Sequence, residues 1–135
     1  MKKIIKVCLI GAGRIGFKLE NDLKRKKPAT HFGMWIKNKN VKLCAICDKN
    51  KISKNNIKKF PSYIKIYKNF IKMIKIEKPD IVSIATWKDS HFEITSKCID
   101  LGIRTIVLEK PLSNNIKEAI KLRKKIKKKK SKYIN

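Results

Sequence analysis

A short apolar run that ends in a glycine triplet constrains this chain more than any other feature. Ile4-Ile5-Lys6-Val7-Cys8-Leu9-Ile10 is rich in β-branched residues and almost continuously apolar, which suits a strand buried on both faces of a parallel sheet. Gly11-Ala12-Gly13-Arg14-Ile15-Gly16 follows it directly. Ile15, Leu19 and Leu23 then fall four residues apart, one stripe of a helix. That helix is predicted to run through Lys24-Arg25-Lys26-Lys27 and to stop before Pro28. A glycine triplet alone is common by chance. One that leaves a strand and enters a helix is the fingerprint of a dinucleotide site.

Each glycine has a physical task in such a site. Gly11 permits the tight turn, Gly13 lets a pyrophosphate approach the backbone, and Gly16 lets the helix pack close to the strand. The helix start offers unpaired N–H groups and a partial positive charge to the phosphates.

The rest of the chain alternates strand and helix. Thr30 reads as the cap of a short helix carrying Phe32, Trp35 and Ile36, and Val41–Cys47 as the second strand. Asp48 stands at its carboxyl end, where an acid binds the adenosine ribose hydroxyls. A weak helix over Ser53–Phe60, a third strand over Tyr63–Tyr67 and a helix over Phe70–Ile76 follow. Asp80–Ala85 is the fourth strand; Ser90 with Glu93 forms a capping box before the next helix, which Gly102 closes. Ile103–Leu108 is the fifth strand, ending in Glu109-Lys110-Pro111, and a last helix runs from about Ser113 into Lys127–Lys130. The pattern predicts a single α/β domain, a Rossmann-type doubly wound parallel sheet of strand order 3-2-1-4-5. Its carboxyl edge would carry the ligand.

The net charge of +26 invites a nucleic-acid reading, with 36 basic residues against 10 acidic ones. Only Arg14, Arg25, Arg104 and Arg123 are arginines, whereas nucleic-acid readers favour the planar guanidinium fork. The lysines are spread over the whole chain with Ile and Asn, so a compositional bias is the better account and no specific nucleic-acid partner is expected. Cys44 and Cys47 form a C-x-x-C on a predicted strand, where positions i and i+3 face opposite ways. With no second pair and no clustered histidines, no metal site is expected and the four thiols read as buried and free in a reducing cytoplasm. The N-terminal run feeds into the glycine turn without a cleavage-like site, and no apolar stretch reaches the length of a membrane span, so no membrane partner is expected.

The set Gly11–Gly16, Asp48, Thr86…His91 after strand four and Glu109-Lys110-Pro111 after strand five resembles the Gfo/Idh/MocA (glucose–fructose oxidoreductase / inositol dehydrogenase) family. The triplet Glu-Lys-Pro makes the likeness specific. The resemblance implies an NAD(P)-binding domain over residues 1–135 of an oxidoreductase acting on sugars, cyclitols and related hydroxy or keto compounds, with NAD as cofactor and NADP also admissible. It implies that Gly11, Ala12, Gly13, Arg14 and Ile15 meet the pyrophosphate and Asp48 the ribose. Thr86, Trp87 and His91 would line the nicotinamide half, with Glu109 and Lys110 beside it. Lys110 is the implied catalytic residue, hydrogen-bonding the reacting oxygen. Trp87 stands where many members carry proline. His31 reads as structural and Asp89 as an aid to a helix start.

Members of the family continue into a second α/β domain that supplies the substrate pocket and most of a dimer interface. The expectation is that this domain is absent here, so a small-molecule substrate would bind only with it, and assembly into an oligomer stays open. The same residues also suit a non-catalytic dinucleotide-binding module: a sensor, a pseudoenzyme or one subunit of a split enzyme.

Overall fold

The computed structural model describes residues 2–129 and 132–134. Six parallel strands form one sheet in the order β3-β2-β1-β4-β5-β6: β1 Ile5–Ile10, β2 Val41–Cys47, β3 Lys65–Tyr67, β4 Ile81–Ile84, β5 Thr105–Leu108 and β6 Lys132–Ile134. The first five keep the predicted order 3-2-1-4-5, and β6 pairs parallel with β5 to extend it. The helices are α1 His31–Lys37, α2 Lys54–Ile57, α3 Phe70–Glu77, α4 His91–Asp100 and α5 Ile116–Lys129. Lys130, expected at the end of the last helix, lies outside the described residues.

Strand β1 shows why the opening run is apolar on both faces. Val7 and Leu9 enter a core with Leu43, Ile46, Phe17, Phe32, Trp35 and Phe60; Cys8 and Ile10 enter the opposite core with Met73, Val82, Ile84, Cys98 and Leu122. Lys6 interrupts the run for a reason. Its ammonium donates to the carbonyl of Glu77 at the end of α3, where a cation suits the negative end of the helix, and its N–H donates to Asp80 at 2.9 Å.

The β1–β2 register shifts between Val7 and Cys8: Val7 pairs with Leu43 and Cys8 with Ala45, so Cys44 is the extra residue of a bulge. All four cysteines are free and buried. Burial pushes the thiols of Cys8, Cys47 and Cys98 up to about 12, which leaves them protonated and unreactive near neutrality.

The predicted helix from Ile15 to Lys27 is not formed. One helical turn starts, with Phe17 N–H bonded to Gly13 O at 2.9 Å, and then widens as Lys18 N–H also reaches Gly13 O and Leu19 N–H reaches Arg14 O. Beyond it the chain makes a short 3-10 turn, Lys18–Asn21, and leaves the core, carrying Leu23 to 97% exposure. The chain returns at α1, where His31 N–H bonds Ile15 O at 3.1 Å and Phe32 N–H bonds Gly16 O at 2.9 Å. In an unbroken helix those carbonyls would take the N–H groups of residues 19 and 20. The segment between is therefore an excursion spliced into one helix.

Both ends of the excursion are held. Phe17 and Phe32 meet edge to face, centroids 5.0 Å apart, and both pack on Phe60. Glu20 accepts from Ala29 N–H at 2.9 Å and Thr30 Oγ1 at 2.7 Å, with its carboxylate in the space left by Gly33. Thr30 caps α1 by accepting from Gly33 N–H at 3.1 Å, as its sequence position predicts.

Candidate functional site

The ends of β1, β2, β4 and β5 meet along one edge, so the residues following each strand form one surface. Gly11 turns the chain off β1 with φ of +101°, a conformation that suits glycine, and its N–H donates to Cys47 O at 2.7 Å. A Cβ there would stand 2.6 Å from the Ala85 carbonyl oxygen at the end of β4. Gly16 has a different task from the one its spacing suggested: a Cβ on it would strike the carbonyl oxygen of Gly11, so it lets the turn close on itself. Gly13 is the contrast. A Cβ built on it meets nothing within 4 Å, so the turn is open to an approaching group at that residue.

Asp48 is fixed against this turn. One carboxylate oxygen accepts from Ala12 N–H and the other from Asn50 N–H, each at 2.9 Å. Arg14 is exposed and Ile15 half-buried against the core. The N–H groups of Arg14, Ile15 and Gly16, which precede the first helical bond of the turn, have no acceptor among the described residues. An open glycine, unpaired N–H groups and an acid pinned to Ala12 fit a dinucleotide with its pyrophosphate over the turn and a ribose at Asp48.

At the other half of the edge, Glu109 and Lys110 follow β5. Glu109 N–H donates to Ile84 O at 2.9 Å; its carboxylate accepts from His31 Nε2 at 3.0 Å and from Lys110 N–H at 3.1 Å. Partial burial raises the carboxyl's pKa, but the hydrogen bond from His31, the Lys110 N–H and the charges of both residues outweigh it and hold the group below its usual range. His31 Nδ1 lies 2.7 Å from Ser83 Oγ, a fully buried hydroxyl on β4. Lys110 itself is exposed on this edge.

The loop after β4 also departs from expectation. Ser90 makes no side-chain cap to α4; its hydroxyl donates to the Trp87 carbonyl at 2.9 Å and shares a hydrogen bond with the Thr86 hydroxyl at 2.8 Å. The serine hydroxyl is turned to the loop, toward Thr86 and Trp87, and not to the N–H groups that open the helix. Trp87 is 82% exposed on this edge. His91, expected to line the nicotinamide half, is fully buried instead: Nδ1 lies 2.6 Å from Pro111 O and Nε2 2.9 Å from Thr86 O. Both ring nitrogens are committed to backbone, so His91 joins two loops rather than facing the cleft.

The residue missed in the sequence is His31. The excursion hides its register, because the number of residues between Gly16 and His31 gives no sign that the two share a helix. The readable signal was the cap at Thr30, which shows a helix starting directly at the histidine.

No helix among the described residues is long and apolar enough to cross a membrane, and no cluster of three or more His, Cys, Asp or Glu could hold a metal ion there. A comparison with curated proteins gives no match. Similar solved structures include a dehydrogenase from Chromobacterium violaceum, 22% identical with a TM-score of 0.77 over 96% of this chain and 34% of that one. Myo-inositol 2-dehydrogenase from Lactobacillus plantarum is 24% identical, TM-score 0.74, over 98% of this chain and 36% of that one. D-galactose-1-dehydrogenase from Rhizobium etli is 20% identical, TM-score 0.73, over 98% and 37%. At these identities the likeness is one of fold, and this chain spans roughly a third of the length of each. The sequence model of Gfo/Idh/MocA, an oxidoreductase family with an NAD-binding Rossmann fold, matches residues 5–135, and the chain belongs to that family.

Proposed function

We propose that this chain is the cofactor-holding domain of a cytoplasmic dehydrogenase that moves hydride between NAD and a hydroxyl- or keto-bearing carbon of a sugar, cyclitol or related compound. The observation that carries the reading is Asp48, whose carboxylate is pinned to Ala12 N–H beside the open Gly13. An acid fixed there accepts hydrogen bonds from the two ribose hydroxyls and repels a 2′-phosphate, which favours NAD over NADP. Lys49 and Lys51 follow Asp48 on the exposed loop and offset part of that repulsion. The substrate class is supported by two structural relatives, a myo-inositol 2-dehydrogenase and a D-galactose-1-dehydrogenase.

NAD, when bound, supplies the hydride acceptor. The chain's own residues do the rest by position. Arg14, Ile15 and Gly16 offer N–H groups to the pyrophosphate, and Gly13 leaves it room. Lys110 offers an ammonium that hydrogen-bonds the reacting oxygen and stabilises charge developing on it. Thr86 and Trp87, on the loop after β4, border the nicotinamide half. The four buried free thiols suit a reducing compartment.

A second reading, a dinucleotide-binding module without turnover, is favoured by the exposure of Lys110 on an open edge. One assay separates the two: NAD with a panel of sugars and cyclitols, followed at the absorbance of reduced nicotinamide. It is run on the chain alone and with a separately expressed substrate domain of the kind the family carries. The expected result is no signal from the chain alone and a signal with the added domain that Lys110→Ala removes. NADH binding without transfer in either arm selects the second reading.

A further inference from the structure

We propose that His31 and His91 are positioning residues that grip the backbone on either side of Lys110, His31 through the Glu109 carboxylate and His91 through the Pro111 carbonyl. The proposal rests on the reading of Lys110 given above. Lys110 is exposed, and no hydrogen bond of its ammonium fixes it among the described residues. What is fixed is the backbone it hangs from. Glu109 spans two donors, His31 Nε2 at 3.0 Å and Lys110 N–H at 3.1 Å, so the carboxylate ties the residue after it to α1. On the far side, His91 Nδ1 lies 2.6 Å from Pro111 O, and its other nitrogen lies 2.9 Å from Thr86 O. One histidine thus joins the β5 loop to α1, and the other joins it to the β4 loop.

The chemistry of the partners sets the orientation of the His31 ring. An ionised carboxylate only accepts, so Nε2 must carry the proton it gives to Glu109. Nδ1 then faces Ser83 Oγ at 2.7 Å, and a hydroxyl can serve that nitrogen as donor or acceptor. Ser83 is fully buried on β4, which excludes it as an attacking group and leaves it as the anchor of the ring. Three segments distant in sequence, around residues 31, 83 and 109, converge to place one backbone position. The spliced helix now has a purpose: His31 N–H on Ile15 O seats the histidine in the helix that leaves the glycine turn, so the pyrophosphate turn and the lysine loop share one rigid support. Misplacing a reacting group by about 1 Å lowers rate by on the order of a hundredfold, so such a support is worth keeping.

The test compares two probes, NADH and ADP-ribose, which share the adenosine and pyrophosphate half and differ in the nicotinamide. Titrations and melting curves are measured for the unmodified chain, His31→Ala and His31→Gln. The chain should bind both probes. His31→Ala should keep ADP-ribose within about twofold, weaken NADH on the order of tenfold, and lose the fluorescence change of bound nicotinamide, because the bond lost is to a charged group. His31→Gln keeps a donor toward Glu109 and should restore both. If the chain binds neither probe, the dinucleotide reading fails and the clamp with it. If it binds both and His31→Ala matches it in NADH affinity and fluorescence, the clamp is overturned and the cofactor reading stands. Equal weakening of NADH and ADP-ribose, unrestored by His31→Gln, also overturns it, since that pattern is general destabilisation. Should His31→Ala melt below the assay temperature, Glu109→Gln takes its place. That variant cannot accept from both donors at once, so loss of the nicotinamide signal with ADP-ribose retained supports the clamp, and an unchanged signal contradicts it.

Discussion

The N–H of His31 sits 3.1 Å from the carbonyl of Ile15, the bond that a continuous helix would give to residue 19. Phe32 repeats the relation with Gly16, and the edge-to-face contact of Phe17 with Phe32 is the one expected of residues three apart on a helix. The helix leaving the glycine turn is therefore present, but its sequence is interrupted.

Removing residues 19–30 and joining Lys18 to His31 should close that helix. The bonds to Ile15 O and Gly16 O need no change of register, and the capping role of Thr30 is no longer needed. The shortened chain should unfold cooperatively within about 1 kcal/mol of the original, since loop length alters closure entropy only slowly. Its far-ultraviolet circular dichroism should show more helix per residue. A chain that loses its cooperative transition would show that Glu20 and its bonds are essential to the fold.

Gly13 and Gly16 should separate binding from stability. Gly16→Ala forces a methyl group onto the Gly11 carbonyl and should destabilise by about 1–3 kcal/mol, the usual range for overpacking, or more where backbone cannot yield. Gly13→Ala meets open space and should leave the melting temperature unchanged while weakening NADH. Melting curves with and without NADH decide it. A destabilised Gly13→Ala or an unaffected Gly16→Ala would contradict the placement of the turn.

Much of this edge was legible because its signals are local. The bounds of β2, Val41–Cys47, and the cap at Thr30 follow from a run of buried residues and one hydroxyl. The stripe Ile15, Leu19, Leu23 misled because four-residue spacing does not show whether a partner surface exists to receive it, and Leu23 has none. The pairing of His31 with Glu109 and Ser83 was out of reach, since it depends on where three separate segments meet. Ser90 and Glu93 have the spacing of a capping box, yet Thr86 Oγ1 competes for the serine.

Acid should weaken the chain partly through Glu109. Its carboxyl is held below the ordinary value of 4.5 when folded, because the His31 hydrogen bond and the Lys110 N–H outweigh burial. The stabilising contribution is therefore complete above that value and is lost as pH falls through the lower folded one. Asp80 and Glu77 are depressed too and add to the same acid limb. Denaturant unfolding at about pH 6 and about pH 3.5 should show a smaller loss for Glu109→Gln than for the unmodified chain. Equal losses would show that the carboxylate is not stabilised by its partners.

Asp48→Ala should weaken NAD more than NADP, because it removes the ribose acceptor and the charge that repels a 2′-phosphate. The variant also loses the tie to Ala12 N–H, so some weakening of both is expected. Paired titrations with NADH and NADPH measure the ratio. Tighter binding of NADPH than NADH by the unmodified chain would contradict the preference.

The most direct test of the account is a calorimetric titration of NADH into the unmodified chain and into Gly13→Val, with melting curves of both. A Cβ at Gly13 meets nothing within 4 Å, so a branched side chain enters open space and fills the room a pyrophosphate needs. The account predicts saturable one-to-one binding to the unmodified chain, equal melting temperatures without ligand, and no detectable binding to Gly13→Val. Equal affinity for NADH in the two proteins would contradict it.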